Sequence, residues 1–436
     1  AMSQDNVTVL ERVNITDYII EENEIKGAWG FNIEENVFYD IRAKAVLCAT
    51  GGAAGLYRPN NPGFSRHKMW YSPFNTGAGF AMGILAGAEM TTFEMRFIAL
   101  RCKDTIAPVG TIAQGVGAKQ MNSHGEIYET KYGLTTSQRL YGTVTENREG
   151  RGPCYLKTDE ISSAQEQDLY RAYLNMAPSQ TLKWLEGSRG PASENVEIEG
   201  TEPYIVGGHT ASGYWVDNGR RTTVKGLFAA GDVAGGCPQK YVTGALAEGE
   251  IAAESMTEYL KALKAKSKSA DTDTAKADST NNRSAELNET DNINKTNAID
   301  KVETKIDEAA ALKKKEYESH LTAKGNDSED TFFITAEQLE EAMQKVMDQY
   351  AGGIATDYQY NEERLVIGKK RIGELLGMID ELKAKDMFEL KDIYEVRERL
   401  IVCQTLIEHL RARKETRWHS FGENSDYPEE SSKWLK

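Results

Sequence analysis

Two segments of the chain repeat one design that suits close contact with a planar or phosphorylated ligand. The first reads Lys44-Ala45-Val46-Leu47-Cys48-Ala49-Thr50-Gly51-Gly52 and the second Val224-Lys225-Gly226-Leu227-Phe228-Ala229-Ala230-Gly231-Asp232. In each, a short apolar run ends in glycine, as a buried strand of a parallel sheet does where it meets a ligand beyond its carboxyl end. Gly51 and Gly52 lack the Cβ that would hold a ligand away from the backbone. Asp232 adds a carboxylate that accepts hydrogen bonds from a sugar or ribitol hydroxyl. A helix is expected from about Thr243 to Leu260, with Thr243 and Gly244 at its start. Its free N–H groups and partial positive charge suit an anionic ring such as a reduced flavin.

The elements that position these segments divide by composition. Residues 1 to about 260 are rich in glycine, aromatics and short apolar runs, as strands joined by tight loops are. From about Lys264 to Thr304 the only large apolar residues are Leu287, Ile293 and Ile299, with no aromatic residue, Gly or Pro. Such a stretch cannot bury enough surface to offset chain entropy, and is expected to be disordered or a frayed helix. Beyond it, Thr335-Ala336-Glu337-Gln338 is a capping-box pattern opening a helix with Leu339, Met343, Val346, Met347 and Tyr350 at helical period. Leu365, Ile372, Leu375, Leu376, Ile379 and Leu382 mark a second helix. Leu400, Cys403, Ile407 and Leu410 mark a third, from about Leu390 to Arg413, which together predict an antiparallel bundle.

Composition narrows the function. The net charge of -15 argues against nucleic acid or an anionic membrane as partner, while leaving room for a local basic pocket. The five cysteines are scattered without a C-x-x-C pair, which predicts free thiols in a reducing compartment and no metal site. Iron–sulfur chemistry would then belong to another chain. No apolar run reaches membrane-spanning length and the first residues do not read as a signal peptide, so a cytoplasmic location is expected.

The paired strings KAVLCATGG and GLFAAGD resemble the second half of the FAD domain in the fumarate reductase/succinate dehydrogenase flavoprotein superfamily. Residues 413–418 (RKETRW) and the later Asp426-Tyr427-Pro428 resemble that superfamily's tail pattern. Longer stretches resemble the adenylylsulfate reductase alpha subunit: LYRPNNPG (56–63), the run 69–104 that begins MWYSPFNTGAG, APVG (107–110), EPYIVGGHTASGYWV (202–216) and MDQYAGGIAT (347–356). The resemblance implies an α/β fold, with an incomplete Rossmann-like FAD-binding domain, an inserted α+β capping domain and a C-terminal helical bundle. The implied segments are 1–68 for part of the FAD-binding domain, 69–200 for the capping and substrate domain, and 201–262 for the return to the FAD-binding domain. A hydrophilic, disordered insertion follows at 263–304, then the helical domain at 305–436. No G-x-G-x-x-G turn for the FAD pyrophosphate occurs, since Gly77-Ala78-Gly79 leads to Gly83 with the wrong spacing. The adenosine and pyrophosphate half of the flavin site is therefore expected outside these residues.

The resemblance also implies the activity: cleavage of adenylylsulfate to sulfite and AMP through N5 of reduced FAD, or the reverse, with electrons from an iron–sulfur beta subunit. Arg101 matches the family's active-site arginine, whose planar fork would hold sulfate oxygens. His209 matches its active-site histidine, contributing positive charge or a proton. Trp70 matches a tryptophan beside the flavin that relays electrons or shapes the pocket, and Arg96 in the same stretch is expected to be structural. Thr50, Gly51, Gly52, Gly231, Asp232, Thr243 and Gly244 are the expected cofactor contacts. Two departures fall near the substrate: Gln114 stands where the family has a large aliphatic residue, and Lys103-Asp104-Thr105 lacks the KDGYG continuation. A related reductase of another anionic substrate such as fumarate, and a homologue without activity, are the alternatives. The fumarate reading lacks its His-Pro-Thr element, because Phe93-Glu94-Met95-Arg96-Phe97 occupies that region.

Overall fold

The computed structural model describes residues 4–64, 68–237, 240–277, 285–321, 334–417 and 422–435. At its centre the strand Val46–Cys48 pairs in parallel with Leu227–Ala229, so the two glycine-ended segments lie side by side and release their loops at the same edge. Leu227, Phe228 and Ala229 are all buried, which is why these runs carry no polar alternation. An antiparallel three-stranded sheet, Val13–Glu21, Glu24–Asn32 and Phe38–Arg42, lies beside this pair and is joined to it by a Glu24–Lys225 bridge.

A second core belongs to a four-stranded antiparallel sheet with the order Leu100–Cys102, Val196–Gly200, Cys154–Leu156, Gln120–Met121. Leu140, Leu169, Tyr173 and Trp184, from the helices Thr136–Arg148, Ser163–Met176 and Pro178–Glu186, share its core. This second core begins at Ile98, whereas Phe80, Met82 and Phe93, just upstream, pack into the first.

The C-terminal helices form where the apolar period places them: Ala336–Tyr350, Glu362–Gly377 and Met387–Ala412. The Thr335 hydroxyl accepts from the Gln338 N–H while the Gln338 side chain accepts from the Thr335 N–H, completing the expected capping box. Leu339, Met343, Met347, Leu400, Cys403, Ile407 and Leu410 are buried, and each large aliphatic among them stabilises the fold by roughly 1.5–3 kcal/mol. The second helix ends at Gly377, with Leu382 following a separate turn, Ile379–Glu381.

The hydrophilic stretch is largely helical. Helical backbone runs through Tyr241–Ala277 and again through Ala285–His320, and 278–284 lie outside the described residues. Residues 264–277 and 285–304 are thus helical, the second of the two states expected of them, and the absence of Gly and Pro removes the usual helix breakers. The end of the second of these helices is a packing element in its own right. Tyr317 meets Phe31 and Tyr394 edge-on, with ring centroids 5.1 and 5.2 Å away.

The long helix Met387–Ala412 fixes the ligand-side loops. Arg399, fully buried, donates from Nε to the Ala54 carbonyl at 3.0 Å and from Nη2 to the Pro73 carbonyl at 2.6 Å. Arg96 is also fully buried and donates to the Tyr57 hydroxyl and to the carbonyls of Ala351 and Gly352, the structural role the sequence suggested.

Candidate active site

Beyond the parallel strands the two loops turn through left-handed glycines, Gly51 at φ +79° and Gly231 at φ +76°, where a side chain would be strained. A single tyrosine ties the loops together. The Tyr71 hydroxyl accepts from the Gly52 N–H at 2.9 Å and donates to Asp232 Oδ2 at 2.9 Å. Burial and the neighbouring Asp232 carboxylate push the Tyr71 phenol well above its ordinary range, so it stays a donor. Below the second loop, buried Lys240 donates to the carbonyls of Gly231 and Ala234 and pairs with Glu248 at 3.0 Å. Glu248 in turn accepts from the Gly231 N–H at 2.8 Å, so both backbone groups of that glycine are held.

A cavity of about 460 Å³ opens over these loops, walled by Gly51, Gly208, Gly231, Asp232, Val242 and Ala245. A second, of about 550 Å³, is walled by Trp70, Phe97, Arg101, Gln114 and the first turn of the helix Thr136–Arg148. His209 and Tyr241 line both, so one imidazole stands at the junction of two neighbouring chambers.

The edge strand Leu100–Cys102 places Arg101 in the larger chamber, with its guanidinium 3.4 Å from the centroid of the Trp70 ring. Its Nη1 donates to the Leu100 carbonyl at 2.9 Å, while its buried Nε has no hydrogen-bond partner among the described residues. Burial lowers its pKa to about 10, so the group stays cationic at neutral pH. His209 belongs to the one-turn helix Gly207–Thr210 and packs against Phe97 and Tyr241, at 4.4 and 5.5 Å between centroids. Its Nδ1 is likewise buried without a partner among the described residues. Burial pushes the imidazole below its ordinary 6.5; Asp232 opposes this and Arg101 reinforces it.

The structure therefore brings Trp70, Arg101, Gln114 and His209 around one chamber, and Gly51, Gly231 and Asp232 around the next. Four expected cofactor contacts do not line it. The Thr50 carbonyl is taken by Asn75 Nδ2 at 3.0 Å, and Gly52 is spent on packing against the Ile205 carbonyl and on its bond to Tyr71. Thr243 and Gly244 are turned aside because the helix begins at Tyr241, which aims Val242, Ala245 and Gly249 at the cavity with helical spacing. Tyr71, Lys240 and Glu248 were missed. Tyr71 adjoins Trp70 in a stretch already singled out, but nothing local in the sequence marks its reach to Asp232.

Among the described residues no group of His, Cys, Asp and Glu could hold a metal ion, and no helix is long and apolar enough to cross a membrane. Cys237 is exposed, the other four cysteines are buried, and none of the five forms a disulfide.

Comparison with known proteins decides the family. The FAD binding domain family matches residues 1–244. The adenylylsulfate reductase structure from the hyperthermophile Archaeoglobus fulgidus aligns with 96% of this chain and 68% of its own, at 31% identity and a TM-score of 0.78. The chain belongs to the adenylylsulfate reductase family of FAD-binding flavoproteins. The alpha subunit of adenylylsulfate reductase from Megalodesulfovibrio gigas is 29% identical over 495 aligned positions, covering all of this chain and 68% of that protein. An adenosine-5-phosphosulfate reductase in complex with sulfite, described as a covalent adduct, superposes with a TM-score of 0.78 at 30% identity, over 96% of this chain and 68% of that one.

As a member of this family the chain is a FAD-dependent oxidoreductase, and the smaller chamber fits that cofactor. A Cβ on Gly208 would stand 2.0 Å from Asp232 Oδ1, and one on Gly51 2.5 Å from Asn75 Nδ2, so the backbone there is open only because both are glycines. Asp232, held by Tyr71, would be able to accept from a ribitol or ribose hydroxyl of that cofactor, and Gly51, Gly208 and Gly231 leave backbone open beside it.

Proposed function

We propose that this chain is the flavoprotein subunit of an adenylylsulfate reductase, interconverting adenylylsulfate with sulfite and AMP and exchanging electrons with an iron–sulfur partner subunit. The observation that carries the reading is Arg101: a buried cation stacked on Trp70, with an unpartnered Nε, in the same chamber as the unpartnered Nδ1 of His209. Buried polar atoms without partners are costly; an anion with several oxygens supplies the acceptor that Arg101 Nε lacks, and one for His209 Nδ1 in the tautomer that carries its proton there.

Bound FAD supplies the electron pair that ends on sulfur. Arg101 presents its fork to the sulfate oxygens and opposes the charge that builds as the bond from sulfur to the bridging oxygen breaks, the bridging oxygen leaving with AMP. Trp70 fixes the plane of the fork and keeps water from its face. His209, uncharged near neutrality, offers a ring N–H to the anion and is charged at lower pH. Gln114, exposed on the turn Thr111–Gly115, adds an amide at the chamber wall where it can bond a polar part of the substrate.

The test is AMP- and sulfite-dependent reduction of an artificial electron acceptor by the flavin-loaded protein. Activity that requires both compounds supports the reading. Reduction of fumarate, with no response to AMP and sulfite, overturns it.

A further inference from the structure

Behind Arg101 and Trp70 lies a carboxylate that the reaction as described does not use. Glu202 is 1% exposed. Its Oε2 accepts from the Asn60 N–H at 3.1 Å, and the backbone N–H of Trp70 also donates to it. Neighbouring backbone bonds anchor the segment: Thr201 N–H to the Ala99 carbonyl at 2.8 Å, and Tyr204 paired with Phe97 in both directions. Glu202 thus sits on the chain that walls the chamber, gripping the backbone of the ring beneath the Arg101 guanidinium.

We propose that Glu202 is a positioning residue for anion binding at Arg101: its carboxyl holds the Trp70 backbone under the guanidinium and takes up a proton when a dianion such as sulfate occupies the chamber. This rests on the chamber being the anion site. The carboxyl faces the N–H groups of Asn60, Trp70 and Glu202 itself, the phenols of Tyr204 and Tyr358, and the cation Arg101; Glu199, which burial also pushes up to about 7, faces the same Asn60 and Tyr358 and lies opposite Arg101 in the strand pair. Burial, the largest influence, pushes it up to about 7, with these donors and Arg101 opposing. A dianion beside Arg101 offsets that cation and adds repulsion, so the protonated form gains as the anion binds. The chamber thereby avoids holding a third negative charge in a buried place.

The experiment is calorimetric titration of the flavin-loaded protein with sulfate, whose charge is constant in this range, at pH about 7.5 in buffers of different ionisation heat. For a rise of one pH unit in the carboxyl, the unmutated protein takes up roughly half a proton per sulfate, and its affinity falls up to about tenfold as pH rises through the transition. Glu202→Gln should bind sulfate without this uptake and with a flat pH profile, and Glu202→Asp should restore a titrating response. Because a dianion in the chamber also favours the charged imidazole, the uptake is measured again in His209→Asn, where the share due to Glu202 should persist; uptake that vanishes in His209→Asn overturns the inference. Uptake in Glu202→Gln equal to that of the unmutated protein overturns the inference, as does Glu202→Asp behaving like Glu202→Gln. Loss of the anion-site reading looks different: sulfate does not bind, or binds as tightly to Arg101→Lys as to the unmutated protein, and the inference falls with it.

Discussion

Glu398→Gln is expected to stabilise this protein above neutral pH, although it removes a charge from the core. Glu398 lies on the helix Met387–Ala412 and is 1% exposed. Thr76 donates to its Oε2, and its Oε1 is buried without a partner among the described residues. Burial, the dominant cause, pushes its pKa from the ordinary 4.5 up to about 7; Glu395 adds to this, while Thr76, Arg399 and Arg397 oppose it. That rise corresponds to about 3 kcal/mol, at about 1.36 kcal/mol per pH unit. The folded protein binds this proton more tightly than the unfolded chain, so the contribution is fully present below pH about 4.5 and is lost as pH rises through about 7. Glutamine keeps the shape and the acceptor for Thr76 but carries no charge at any pH. The variant should therefore match the original near pH 4 and exceed it by up to about 3 kcal/mol near pH 8.5, read as a rise of the unfolding midpoint that grows with pH. Equal midpoints at pH 8.5, or a variant less stable there, would show that the carboxylate is compensated by groups other than those named, and would refute the reasoning.

At the site, His209→Asn should flatten the pH dependence of kcat/KM. The imidazole is held below 6.5, so any step that uses its charge should speed up as pH falls through that lowered value in the unmutated enzyme and not in the variant. Gly208→Ala should lower flavin content, measured by absorbance after purification, because its Cβ would meet Asp232 Oδ1 at 2.0 Å and displace the carboxylate from Tyr71; full flavin loading would remove Asp232 from the cofactor's contacts.

How far the sequence revealed this arrangement depended on the kind of signal. The C-terminal helices were readable because their apolar residues recur at helical period and Thr335 with Gln338 marks a start, both local features. The two strands of the parallel pair were readable because each is a short apolar run that leads into glycine, though nothing in either run says that they pair with each other. Trp70, Arg101, Gln114 and His209 were found through long collinear resemblance, and their meeting at one chamber depends on chain segments more than a hundred residues apart. What failed did so for physical reasons. Thr243 and Gly244 missed the cavity because a start two residues earlier rotates a helix by about half a turn. The choice between disorder and helix through 285–304 stayed open in the sequence because propensity without an apolar stripe gives no periodic signal. Tyr71, Glu202 and Lys240 owe their roles to burial and distant partners, which no local pattern encodes.

The central claim is that Arg101 and its neighbours hold the sulfur oxyanion against the cofactor. It is tested most directly by titrating the oxidised, flavin-loaded protein with sulfite and following the visible flavin absorbance, which needs no iron–sulfur partner. The account predicts saturable bleaching in the unmutated protein and a weakening of about 10²-fold in Arg101→Lys, which keeps the charge but loses the planar fork. No bleaching in fully loaded protein, or identical bleaching in Arg101→Lys, would contradict it.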